Sequence, residues 1–301
     1  MAAQLSIGTV LFHWSPEKWR DFYFKLADEA PIDRVYVGEV VCYKRDPFYK
    51  PLYGEVMERL KRSGKEVVFS TLAEVMLKHD RRMIKDACGK QDFQIEANDA
   101  SALWTLDGKP HAVGPFMNVY NEDTMAFLAK KGATHFCLPY ELPRDVLAVM
   151  GNAAKNLGVS LEVQVYGRIP LALSARCYHA RAHGKIKDNC QFVCGNDSDG
   201  MELKTISGQS FLTINGIQTM SHDCLNLIKE LHDLESLGIG MLRLSPHDHD
   251  MIGVAKIFRA VLNETISPCE ATAELEKIGM GVPFSNGLYH KKAGYTWHSA
   301  A

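Results

Sequence analysis

Cysteine is the chemically loaded residue of this sequence, with eight among 301 residues. Three of them, Cys177, Cys190 and Cys194, have twelve and three residues between them in a stretch rich in Gly, Asp, Asn and His. Two thiolates with three residues between them can bind one centre from a turn, and a third can join by return of the loop. Zinc held by thiolates and an iron–sulfur cluster both accept that arrangement. Zinc sites more often pair two short C-x2-C or C-x4-C hooks. One distant cysteine with three grouped ones suits a [4Fe–4S] cube, whose corners lie farther apart. His179 and His183 share the stretch and are alternative ligands, and three unrelated thiols in a loop is the plain reading. Cys88, Cys137, Cys224 and Cys269, read as lying at a helix end, in a strand, in a helix and in the tail, are expected to pack rather than ligate.

The elements that must position these residues alternate. Runs of β-branched and apolar residues at 5–12, 34–42, 66–71, 93–96, 111–120, 134–138 and 160–166 predict strands. Amphipathic stretches at 17–27, 53–62, 73–87, 101–106, 122–131 and 144–156 predict the helices between them. After Tyr166 the rhythm breaks over residues 167–210. A strand is then expected at 211–218, a helix at 222–237, a last strand at 241–244 and a helix at 254–262. About eight such units predict an α/β fold of the (β/α)8 TIM-like barrel type, with a cysteine-rich insert after the seventh strand. An open doubly wound sheet is the rival, and no G-x-G-x-x-G follows the first strand to support it. The expected organisation is a single barrel domain over 1–264, insert included, and a tail over 265–301 packed on the barrel or loose. Reactive groups in such a barrel gather where strands end. Cys42 ends the second predicted strand, so four cysteines converge on one face.

Composition narrows the partners. Lys plus Arg number 34 against 36 Asp plus Glu, a net charge of −2 that supplies no global field for nucleic acid or an anionic membrane. Apolar residues make up 46% and charged residues 23%, which fits a folded chain rather than a disordered one. No run of 18 apolar residues and no secretory leader is seen, so a cytoplasmic location with reduced thiols is expected.

The segment EVQVYGRIPLALSARC, which ends at Cys177, resembles the signature of the bacterial U32 family, historically labelled peptidases. The opening LSIGTVLFHW, the strand RVYVGEVVCYKR and the motif CQFVCG extend the similarity over nearly the whole chain. They point to a branch that acts with a paralogue of the same family in oxygen-independent hydroxylation during ubiquinone biosynthesis. The resemblance implies a [4Fe–4S] cluster on Cys42, Cys177, Cys190 and Cys194. It also implies a heterodimer with the U32 paralogue and a lipid-carrier protein that presents the quinone precursor. The usual signature carries a cysteine seven residues before the one matching Cys177; here that place holds Pro170, which cannot bind iron. The residue before Ile169 departs too, being Arg168 rather than a small side chain.

Prephenate, the oxygen donor proposed for related hydroxylases, is a dicarboxylate and would need fixed cations. Arg45, Arg168, Arg176 and Arg243 lie at or just beyond predicted strand ends and offer guanidinium forks. Glu39, Asn118 and Tyr166 lie near strand ends and are further substrate-facing candidates. Catalytic residues are not identified. Proteolysis finds no chemical support: H-E-x-x-H and G-x-S-x-G are both absent, and the best-placed thiols look committed to metal. His247-Asp248-His249-Asp250 reads either as a metal hook or as a helix cap. Two alternatives to the quinone role stay open: an RNA-modifying hydroxylase of the same family, or a non-catalytic electron-transfer or scaffold subunit.

Overall fold

The computed structural model describes residues 3–89 and 93–299. Seven strands alternate with helices up to the insert: β1 (Gln4–Ile7), α1 (Pro16–Glu29), β2 (Arg34–Gly38), α2 (Asp46–Tyr49), α3 (Tyr53–Arg62), β3 (Glu66–Ser70), α4 (Lys78–Cys88), β4 (Gln94–Ala97), α5 (Ala100–Thr105), β5 (His111–Val113), α6 (Glu122–Lys130), β6 (Ala133–Cys137), α7 (Arg144–Leu157) and β7 (Ser160–Gly167). The insert and the strand leaving it follow as β8 (Pro170–Leu173), α8 (Tyr178–Ala182), β9 (Met201–Lys204), β10 (Ser210–Asn215) and β11 (Gln218–Ser221). The chain ends with β12 (Cys224–Asn226), α9 (Leu231–Ser236), β13 (Met241–Leu244), α10 (Met251–Leu262), α11 (Pro268–Ile278) and β14 (Phe284–Ser285).

Each of β1 to β7 pairs in parallel with the next, and β13 pairs in parallel with both β7 and β1. The sheet thus closes into an eight-stranded (β/α) barrel, and closure leaves no open edge in the ring. Outward strand residues meet the amphipathic helices. In α1, Ser15 caps the first turn by accepting the Lys18 amide, Pro16 takes the first helical position, and Trp19, Tyr23, Leu26 and Ala27 are buried. The insert forms a separate antiparallel sheet in the order β8-β11-β10-β9.

Inside the barrel the usual branched apolar layers give way to a polar one. Glu162 of β7, fully buried, accepts hydrogen bonds from Arg243 Nε (2.8 Å), His135 Nε2 (2.7 Å), the Tyr36 hydroxyl and Ser6. The Arg243 guanidinium spans from Glu162 to Glu96 Oε1 (2.7 Å) and lies 3.9 Å over the Tyr36 ring. Burial pushes the Glu162 carboxyl up, but Arg243 and the His135 hydrogen bond overcome it and hold the group well below the usual glutamate range.

Several elements differ from the sequence reading for identifiable reasons. The strand expected over 111–120 stops at Val113, because Pro115 lacks an amide for the ladder and opens a 3-10 turn. The strand expected over 34–42 stops at Gly38 (φ +143°), leaving Cys42 in the following loop. The helix expected from residue 73 starts at Lys78, since Asp80 accepts the amides of Met76 and Leu77 and the Ala73 amide goes to Val40. Residues 222–237 are not one helix. Cys224–Asn226 pairs antiparallel with the end of β7 and in parallel with β14, and only Leu231–Ser236 is helical. In the tail, Ser267 and Glu270 form a capping box at the start of α11, which packs on α10.

Candidate metal centre

The two loops that meet over the barrel bring four thiols together. Cys42 lies between β2 and α2; Cys177 caps α8, its sulfur accepting the Ala180 amide at 3.4 Å. Cys190 ends a 3-10 turn (Lys187–Asn189), and Cys194 lies in the next (Val193–Asn196). Between them Gln191 and Phe192 both take left-handed backbone (φ +51° and +52°), an uncommon choice that reverses the chain so both sulfurs face inward. All four cysteines line one small cavity of about 20 Å³. Cys177 and Cys194 are buried; Cys42 and Cys190 are half-buried.

The chemistry of the donor set discriminates between metals. One zinc ion would draw its thiolates to within roughly 4 Å of one another, given zinc–sulfur bonds of about 2.3 Å. Among the described residues, the group of three or more ligand atoms that all lie within 4.8 Å of one another is His179, His183 and Asp197, and no cysteine belongs to it. Four thiols around one cavity form a donor set that a cubane cluster can take, one sulfur to each iron. Burial raises the thiol of Cys42 to about 11, despite the opposing Arg45, and that of Cys177 also rises with burial. Without a cation to take the thiolates these groups stay protonated, so metal binding must release protons.

The cavity is also provided with positive charge. Arg45 is 1% exposed, donates to Leu11 O (2.8 Å) and Asn215 Oδ1 (3.0 Å), and leaves its Nε without a hydrogen-bond partner. Burial opposes its charge, and Cys194, Glu39 and Cys42 stand close enough to favour it. Lys44, whose ammonium donates to the carbonyls of Lys187 and Asp188, and Lys187, paired with Glu74 at 2.9 Å, complete a cationic wall. A cube with four thiolates carries net negative charge, and these residues match it.

His179 is hydrogen-bonded at both ring nitrogens. Its Nε2 holds Asp197 at 2.8 Å and its Nδ1 accepts from the Gly216 amide at 3.5 Å, so it ties α8 to the β10–β11 turn. The alternative reading of His247-Asp248-His249-Asp250 resolves as a cap: Asp250 accepts the Gly253 amide at the start of α10. His247 instead bridges Asp199 (2.6 Å) and the Arg168 amide (2.9 Å).

The other residues singled out in the sequence scatter. Glu39 is buried, and its Oε1 accepts the amides of Val41 and Cys42 (2.8 and 2.9 Å). It lines a cavity between α3 and α4 rather than the axial mouth. Tyr166 points outward, its ring 5.7 Å from Phe258 of α10 and its hydroxyl 3.1 Å from His249. Asn118 is exposed in a turn with φ +55°. Arg168 is buried and donates to the carbonyls of Ser221 and His222; Arg176 is exposed beside Cys177. Arg243 reaches the axial mouth with Gln164 and Tyr140, but two carboxylates already neutralise it. Cys88 and Cys137 are buried as expected of packing residues. Cys224 is buried in a strand instead of a helix, whereas Cys269 is exposed.

Sequence reasoning missed Glu162, Glu96 and His135. The available signal was a charged residue inside strands otherwise apolar, as at Leu161-Glu162-Val163, which in a barrel marks an inward polar layer. Among the described residues no helix is long and apolar enough to cross a membrane. In comparison with known families, residues 20–299 match the model described as Peptidase family U32.

Proposed function

The chain belongs to peptidase family U32, and from that premise we propose that it is an iron–sulfur subunit of an oxygen-independent hydroxylase. In this reading it resembles UbiV, works as a heterodimer with a paralogue resembling UbiU, and acts on a ubiquinone precursor delivered by a lipid-carrier protein. The observation that carries the reading is the convergence of Cys42, Cys177, Cys190 and Cys194 on one cavity walled by Arg45, Lys44 and Lys187.

The residues fit a [4Fe–4S] cluster as ligands and as charge partners. Such a cluster supplies one-electron transfer when bound. The chain's own residues do the rest. Arg45 holds positive charge against the sulfurs, and Asn215 and Leu11 O fix its guanidinium. The Cys42 amide is held by Glu39, which sets the direction of the one thiol contributed by the barrel. Phe192, Val193 and Ile217 line the same cavity with apolar surface that limits water at the sulfurs.

The test is genetic and chemical together. Cells lacking this gene, grown without oxygen, are expected to lose quinone and accumulate an unhydroxylated precursor, and the Cys177→Ala variant is expected not to restore it. Normal quinone in the deletion strain, with an altered RNA modification instead, would overturn the assignment.

A further inference from the structure

Between α3 and α4 lies a cavity of about 700 Å³. Protein interiors rarely leave voids much larger than a water molecule, whereas ligand pockets run from about 300 to 1,000 Å³. The gap is built into the fold. α3 packs on α1 and α4 packs on α5, while α3 and α4 make little direct contact. Ile84 and Cys88 of α4 belong with Leu72, Ile95, Ala102 and Leu106 to a small hydrophobic cluster distinct from the main core, and the cavity lies along that division.

Its walls are apolar, with Met57, Phe69, Met83 and Phe93 among them. Its floor is polar and acidic. Glu39, which lines the cavity, uses Oε1 for two backbone amides, so Oε2 is not engaged by them, and Asp46 Oδ1 accepts from the Tyr53 hydroxyl at 3.0 Å. Carboxylate acceptors at the floor favour a ligand that brings a hydrogen-bond donor and disfavour an anion. Lys50 is the cation of the lining. Glu39 and Asp46 bracket the loop whose Cys42, Lys44 and Arg45 line the cysteine cavity, so a single loop separates the two spaces.

We propose that the cavity between α3 and α4 binds an apolar ring bearing a hydroxyl donor, with the hydroxyl at Glu39 and an aliphatic tail along the apolar walls. The site rests on geometry. The substrate class, a prenylated phenol, rests on the function proposed above and assigns the quinone precursor to this chain rather than to its paralogue.

The probe is 2-geranylphenol, titrated by calorimetry into the full-length chain after anaerobic cluster loading. Geranyl diphosphate serves as an anionic control of the same tail length. A Cβ built at Gly54, on α3, meets nothing within 4 Å, so Gly54→Leu adds bulk at the cavity without a backbone clash. Ala87→Leu adds bulk at the cavity from α4. The wild type is expected to bind the phenol saturably and not the diphosphate. Both variants are expected to bind at least about tenfold more weakly, with iron content and Tm unchanged. Absence of saturable binding, unchanged affinity in both variants, or equal binding of the diphosphate overturns the proposal. Phenol binding that the variants abolish, in a chain that takes up no iron, upholds the cavity and rejects the cluster. A loaded cluster with no phenol binding rejects the cavity alone.

Discussion

At the scale of single residues, two buried charge systems stand out: the Glu96–Arg243–Glu162 layer inside the barrel and Arg45 beside the cysteine cavity. Glu162 sits on Arg243 and His135 with its pKa held below the ordinary value of 4.5. A carboxyl depressed in the folded state contributes stability that is full above 4.5 and is lost as pH falls toward the lower folded value. In urea unfolding at a series of pH values the Glu162 contribution should therefore stay constant from pH 7 to about 5 and be lost below it. That loss adds to a decline that begins near pH 6.5, where the unfolded chain protonates His13 and His249 while burial holds their folded pKa values down at about 4. Glu162→Gln should remove the Glu162 part of that acid limb. Arg243→Met, which strands two carboxylates in the barrel, should cost about 3–5 kcal/mol at pH 7 in the same assay. The cysteines were legible because their positions relative to strand ends could be read from short-range patterns. The partners of Arg243 were not, since Glu96 and Glu162 approach it only once the barrel closes.

At the scale of elements, backbone freedom at two turns decides whether the site assembles. Gly38 ends β2 at φ +143°, and a Cβ there would lie 2.3 Å from Ser70 O of the neighbouring strand. Gly38→Ala should destabilise by at least about 2 kcal/mol in chemical denaturation, because the contact is backbone and the φ suits only glycine. Gly216, in the β10–β11 turn at φ +60°, faces Arg45 Nη2, which a Cβ would approach to 2.6 Å. Gly216→Ala should displace that guanidinium and lower anaerobic iron retention while leaving the far-UV circular dichroism spectrum intact. The barrel helices and strands followed from hydrophobic period, although their ends shifted wherever Pro115, Gly38 or Asp80 intervened. The run from 222 to 237 misled because its buried Leu225, Leu231 and Leu234 fit a helix. The β12–β14 pairing that overrides the period comes from a segment about sixty residues away, and no local pattern announces it.

At the scale of the whole molecule, one of the four clustered thiols comes from the barrel and three from the insert, so a bound cluster would fasten the two together. Chelation of iron should then loosen the insert while the barrel persists. Hydrogen exchange is expected to speed up across residues 176–197 and to remain slow in β1, β2 and β7; uniform change or none would contradict a cross-linking role. The most direct test of the account is iron and acid-labile sulfide analysis after anaerobic reconstitution. The wild type and a Cys88→Ala control should hold about four of each per chain, and Cys42→Ala, Cys177→Ala, Cys190→Ala and Cys194→Ala should each lose most of it. A single zinc ion per chain, or iron content that ignores all four substitutions, would contradict it.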